Sequence, residues 1–130
     1  MKTLLIVLFC LIMAPSFAQQ QIKIDEAKNH VGDSVKICSK IYYTKYFKSS
    51  QDPITLLDMG DKYPNNPLSI VIPADVRKLF KTPPEEYYKG AHVCVTGKIQ
   101  IYKEKAEIVI GSPQQIQEVI MDKSPVKGPA

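Results

Sequence analysis

The stretch Ser34-Val35-Lys36-Ile37-Cys38-Ser39-Lys40-Ile41-Tyr42-Tyr43 alternates along its length. Val35, Ile37, Ser39 and Ile41 fall on one face, and Lys36, Cys38, Lys40 and Tyr42 on the other. Successive side chains of a strand point to opposite sides, so a period of two reads as a half-buried β-strand. Ala91 to Tyr102 repeats the pattern, with Ala91, Val93, Val95, Gly97 and Ile99 inward and His92, Cys94, Thr96 and Lys98 outward.

Working outward from these two, Ile54–Met59 is a short apolar strand between Pro53 and Gly60, and Leu68–Ile72 is another, halted by Pro73. Ala106–Ile110 forms the last strand before Gly111-Ser112-Pro113. Thr44 to Pro53 and Asp61 to Pro67 are rich in turn formers and read as loops. Ile24 to Gly32 reads as a short helical turn that Asp25 caps and Gly32 ends. Ala74 to Phe80 has helical spacing, with Val76, Leu79 and Phe80 on one face and Pro83-Pro84 as its stop. The expected fold class is therefore all-β with a short helix. Five strands, with a helix between strands 3 and 4, suit a small five-stranded barrel of the oligonucleotide/oligosaccharide-binding (OB) kind. An open sandwich has the same strand count, but that helix favours the barrel.

The chain has 130 residues, Lys+Arg 17 against Asp+Glu 13, and a formal net charge of +4. This length fits one domain and excludes a TIM barrel or a full dinucleotide-binding enzyme. Lys2, the apolar run Leu4 to Met13 and the small residues of Ser16-Phe17-Ala18 read as a cleaved secretory signal over residues 1–18. The run is too short to span a bilayer. A lipid anchor on Cys10 is disfavoured by Phe9 before it, where a small residue is expected. Residues 19–120 then form a single domain, and 121–130, polar with Pro125 and Pro129, a disordered tail. The expected location is periplasmic or secreted, with no membrane insertion after cleavage. Losing Lys2 lowers the net charge to +3, a weak electrostatic footprint for a nucleic-acid binder. Losing Cys10 leaves Cys38 and Cys94, an even number in an exported chain.

Val31-Gly32-Asp33-Ser34-Val35-Lys36-Ile37-Cys38-Ser39-Lys40-Ile41 resembles the first strand of a bacterial exported OB-fold family, related to the OB domains found with some secreted nucleases. The likeness continues through Tyr63-Pro64-Asn65, Lys89 to Ile99, and Tyr102-Lys103 to Ser112-Pro113-Gln114-Gln115-Ile116. Ser39 stands where relatives usually carry glycine. The resemblance implies an OB fold and a nucleic-acid-binding type of barrel. Function carried over on that basis is analogy from fold.

In such a barrel the first and fourth strands are antiparallel neighbours, so Cys38 and Cys94, both outward by parity, can face each other across the ladder. A disulfide is the expected outcome. A redox pair lacks the C-x-x-C spacing, and a metal site of Cys38, Cys94 and His92 fits no zinc pattern.

Single-stranded nucleic acid needs aromatic faces for stacking and cations for the backbone. Tyr43, Lys45, Tyr46, Phe47 and Lys48, with Tyr42, lie in and beside the first interstrand loop. Tyr102, Lys103 and Lys105 lie at the connection between strands 4 and 5. Both loops flank the strand 2–3 face that OB domains use. Tyr63, beside Pro64, Asn65 and Asn66, is either a clamp for a base or a sugar or a cap on the core, decided by its exposure. Against these stands the plain alternative that the tyrosines pack over the barrel ends and the lysines solvate them. No catalytic constellation accompanies them. Arg77 is the only arginine, which excludes a two-arginine nuclease site, and Asp58, Asp61 and Asp75 look scattered beside turns. No cofactor is expected. The reading is a non-enzymatic exported module with weak affinity for single-stranded DNA or RNA, with a secreted nuclease or other exported protein as a further candidate partner. A periplasmic protein- or small-ligand-binding OB protein without a nucleic-acid role is the alternative.

Overall fold

Residues 20–120 are described by a computed structural model. The signal expected at 1–18 and the tail expected at 121–130 lie outside them. The alternating stretch around Cys38 becomes a long strand, β2 (Ser34–Tyr46), preceded by β1 (Gln20–Ile22) and followed by β3 (Ile54–Met59) and β4 (Leu68–Pro73). Two four-residue helices, α1 (Ala74–Arg77) and α2 (Pro84–Tyr87), lead to β5 (His92–Tyr102), β6 (Lys105–Val109) and β7 (Ile116–Glu118). Short 3₁₀ turns occupy Ile24–His30 and Pro113–Gln115.

The sheet runs β1-β2-β3-β4-β6-β5-β7, and β2 pairs with β5 as well. Strands β2, β3, β4, β6 and β5 therefore close into a hydrogen-bonded ring, which leaves β1 and β7 as its short edges. All neighbours in the ring are antiparallel except β4 and β6, which pair in parallel from Ser69↔Glu107 to Val71↔Val109. The inward set is the one that alternation foretold: Val35, Ile37 and Ile41 meet Val93, Val95 and Ile99, all fully buried. Leu57, Ile70 and Ile108 join them in one core. Burying a branched aliphatic side chain contributes about 1.5–3 kcal/mol, so these inward rows dominate the stability of the ring.

Four expectations need correction. β2 does not stop at Tyr43; pairing with β3 from Tyr43↔Asp58 to Tyr46↔Thr55 carries Lys45 and Tyr46 into the strand rather than a loop. The register slips between Ile41↔Met59 and Tyr43↔Asp58, so Tyr42 and Tyr43 together oppose one residue of β3. Such a bulge breaks the alternation, and both tyrosines stand exposed. The 3₁₀ turn starts at Ile24, after Lys23, so Asp25 lies inside the first turn instead of capping it. The helix expected over 74–80 ends after one turn. Val76 is buried, but Leu79, expected beside it, is 64% exposed. Pro84, expected as a stop, instead opens α2, where a missing N–H costs nothing. The strands β1 and β7, three residues each, are too short to show any period.

Cys38 sits directly opposite Cys94 in the β2–β5 ladder and is joined to it by a disulfide, with 3.9 Å between Cα atoms. Of the two tyrosines before β5, Tyr88 is buried and packs edge-on against Phe80, while Tyr87 is exposed and donates its hydroxyl to Glu118 Oε1 at 2.9 Å. Burial, and then the neighbouring Tyr87 and Glu118, raise the Tyr88 phenol above its ordinary value.

Candidate functional site

On the outer face of β2, β3, β4 and β6 lies a groove of about 1070 Å³. Its aliphatic bed is Ile54, Leu56 and Val71. Tyr42, Tyr43, Lys45 and Phe47 of β2 and its following loop form one side. Lys62 and Tyr63, from the β3–β4 connection, and Tyr102, Lys103 and Lys105, from the β5–β6 hairpin, form the other. Tyr43, Tyr63 and Tyr102 are 45%, 67% and 57% exposed. Tyr63 is thus a rim residue and does not cap the core.

Two local features aim the rim. Gly60 takes φ +92, and a Cβ there would lie 2.7–2.9 Å from Ile24 and Pro67, so only glycine lets the 61–67 loop fold back over the sheet. Lys103 and Glu104 take φ 48 and 68, both left-handed, as a two-residue type I′ hairpin turn requires. The turn sets Tyr102 opposite Lys105 and carries Lys103 at its tip.

Cations lie over aromatic rings along the rim. Lys45 Nζ is 5.0 Å from the Phe47 ring centre, Lys103 Nζ is 5.4 Å from that of Tyr102, and Lys105 Nζ is 5.2 Å from that of Tyr63. Lys105 is also taken up by structure. Its ammonium donates to the carbonyl of Pro64 and to Oδ1 of Asn66 at 3.2 Å, stapling the 61–67 loop to the hairpin.

Of the candidates read from sequence, Tyr43, Lys45, Phe47, Tyr63, Tyr102, Lys103 and Lys105 meet in this groove. Tyr46 and Lys48 do not line it. The Tyr46 ring is covered by the Arg77 guanidinium at 3.7 Å, which also makes a two-point pair with Glu85 at 2.6 and 3.2 Å. Burial is the largest single influence on the Glu85 carboxyl and raises it, but the Arg77 hydrogen bond, a backbone hydrogen bond and the Arg77 charge together hold the group below its usual value. Tyr46 therefore anchors α1 and α2 to β2.

Sequence reasoning missed the floor. Asp58, which looked like a scattered turn residue, is on β3 and 1% exposed. Its Oδ1 accepts from Ser69 Oγ at 3.1 Å and from Asn66 Nδ2 at 3.4 Å. Its Oδ2 has no hydrogen-bond partner among the described residues. Burial raises its pKa above the ordinary carboxylate value, against the lowering effects of the Ser69 hydrogen bond and the Lys105 charge. Ser69 is opposite Asp58 on one side and Glu107 on the other. The available signal was a lone charge inside the apolar run Ile54–Met59. The groove is thus an aliphatic and aromatic surface with lysines around it and two carboxylates along its floor. That arrangement has the chemistry to match a flat, hydrogen-bonding ligand with an anionic periphery.

No protein-family model and no curated protein matches this chain. Among solved structures it is similar to a Leishmania major Friedlin protein assigned as an aspartyl-tRNA synthetase, at 11% identity and a TM-score of 0.49. That similarity covers 85% of this chain and 22% of the other, so this chain spans about a fifth of the synthetase's length. It is also similar to a chain of the S. pombe Stn1-ten1 complex, at 12% identity and a TM-score of 0.45, over 87% of this chain and 88% of that one.

Proposed function

We propose that this protein is an exported, non-catalytic OB-type binding module that takes single-stranded DNA or RNA in the β2–β3–β4–β6 groove with weak affinity. The observation that carries the reading is the rim, where exposed Tyr43, Tyr63 and Tyr102 stand beside Lys45, Lys62 and Lys103. Base–aromatic stacking is worth about 1–3 kcal/mol per base and tolerates any sequence, while lysines follow the backbone. The five-strand ring, closed through β2–β5 and with β4 parallel to β6, supports the OB reading. The secretory pattern of residues 2–18 and the Cys38–Cys94 bridge support export.

Fluorescence anisotropy with labelled ten-nucleotide DNA and RNA tests this. If Lys45, Lys62 and Lys103 each meet one phosphate, log K should fall with log salt at a slope of about −2. Affinity should then drop roughly 15-fold between 50 and 200 mM salt. Y63A and Y102A should each weaken binding about 5-fold or more, in keeping with the loss of one stacked base. Absence of any salt-sensitive binding at tens of micromolar protein would refute the proposal.

A further inference from the structure

Resting on the nucleic-acid reading of the groove, we propose that its floor selects guanine, with Glu107 as the residue that reads the base and Asp58 as a second, fixed negative charge beneath it. Most of the rim is indifferent to base identity, because every base offers a π face. The floor is not. Glu107 is half-buried, lines the groove, and accepts from Gln100 Nε2 on Oε1 at 2.7 Å, which leaves that oxygen a second lone pair. Its Oε2 makes no hydrogen bond among the described residues. Asp58 is 1% exposed, lines the same groove, and keeps Oδ2 unpartnered. Both are carboxylates placed on either side of Ser69 in adjacent strands, so Glu107 presents acceptors to the groove while Asp58, closed off from solvent, adds negative charge beneath it.

An ionised carboxylate only accepts hydrogen bonds. Guanine offers it two adjacent donors, N1–H and the N2 amine. Cytosine and adenine each offer one amine beside a ring-nitrogen acceptor, which such a carboxylate repels. Thymine and uracil offer one N–H between two carbonyl oxygens, the poorest match.

The test compares labelled T10, the same strand with its two central residues replaced by guanine, and the same strand with inosine there, which lacks the N2 amine. Guanine should tighten binding about tenfold over T10, the discrimination expected of a good two-point contact. Inosine should lose most of that gain. E107Q, and D58N beside it, should bring the guanine-to-thymine ratio to within about twofold, with thermal melts confirming that each variant folds. A wild-type ratio below twofold, or a tenfold ratio that survives E107Q, overturns the selection while leaving the nucleic-acid reading standing. Failure of all three strands to bind removes the nucleic-acid reading itself, and the selection with it.

Discussion

Removing the Cys38–Cys94 bridge should cost this domain a large part of its stability and little of its architecture. The two residues are 56 apart in sequence, so the bond closes a loop of about 57 residues holding most of β2, all of β3 and β4, and both helices. In the chain-entropy model such a closure removes about 14 cal/mol/K from the unfolded chain, or about 4 kcal/mol at room temperature. The folded side of the balance changes little. Seven register pairs, Ser34↔Lys98 through Lys40↔His92, hold β2 to β5 without the bond, and Val35, Ile37, Val93 and Val95 stay packed beneath it. The perturbation is C38A/C94A, because alanine leaves no unpaired hydroxyl near the half-buried site. A domain of this size loses about 4–8 °C of Tm per kcal/mol, so the melting temperature should fall by at least about 15 °C. Urea titration followed by circular dichroism should give a larger m-value in the variant, since its unfolded chain is less constrained. The far-UV spectrum of the folded variant should match the wild type. A stability loss under about 1 kcal/mol, or two free thiols titrated in the denatured wild-type protein, would show the reasoning to be wrong.

Three further outcomes are expected. Burial lifts the Asp58 pKa above 3.8, so the folded protein holds that proton more tightly than the unfolded chain does. Stability should therefore fall as pH rises from about the unfolded value through the raised folded one and level off above it. D58N should remove this slope, and parallel stability–pH curves for the two proteins would count against it. Replacing the left-handed pair by K103N/E104G suits a type I′ turn better and should raise stability by about 1 kcal/mol, read by urea unfolding. The same change removes a rim cation and should make the salt slope of DNA binding shallower. R77K keeps the charge but loses the two-point pair with Glu85 and the stack on Tyr46, so stability should fall by about 1–2 kcal/mol with DNA affinity unchanged.

Alternation placed β2 and β5 to within a few residues and put Cys38 and Cys94 on outward faces, while short apolar runs bounded by proline and glycine placed β3, β4 and β6. The reason is local: a half-buried strand writes its two environments into its own sequence with a period of two. Composition named seven rim residues, because aromatics and lysines crowded into connections are visible without knowing what they neighbour. Apart from the Cys38–Cys94 pairing, which the barrel's strand order implied, what depends on two segments meeting was hidden. The bulge at Tyr42–Tyr43 exists only because β2 pairs with β3 in a slipped register, and that slip turns both tyrosines outward. Tyr46 looked like its neighbours until Arg77, thirty-one positions away, closed over its ring. Lys105 looked free until the 61–67 loop took its ammonium. Asp58 looked like a turn residue until β4 brought Ser69, and the loop brought Asn66, to its carboxylate. One strand's sequence records which side faces water, whereas the partner of an outward side chain is set by pairing register and loop closure, which only the tertiary structure decides.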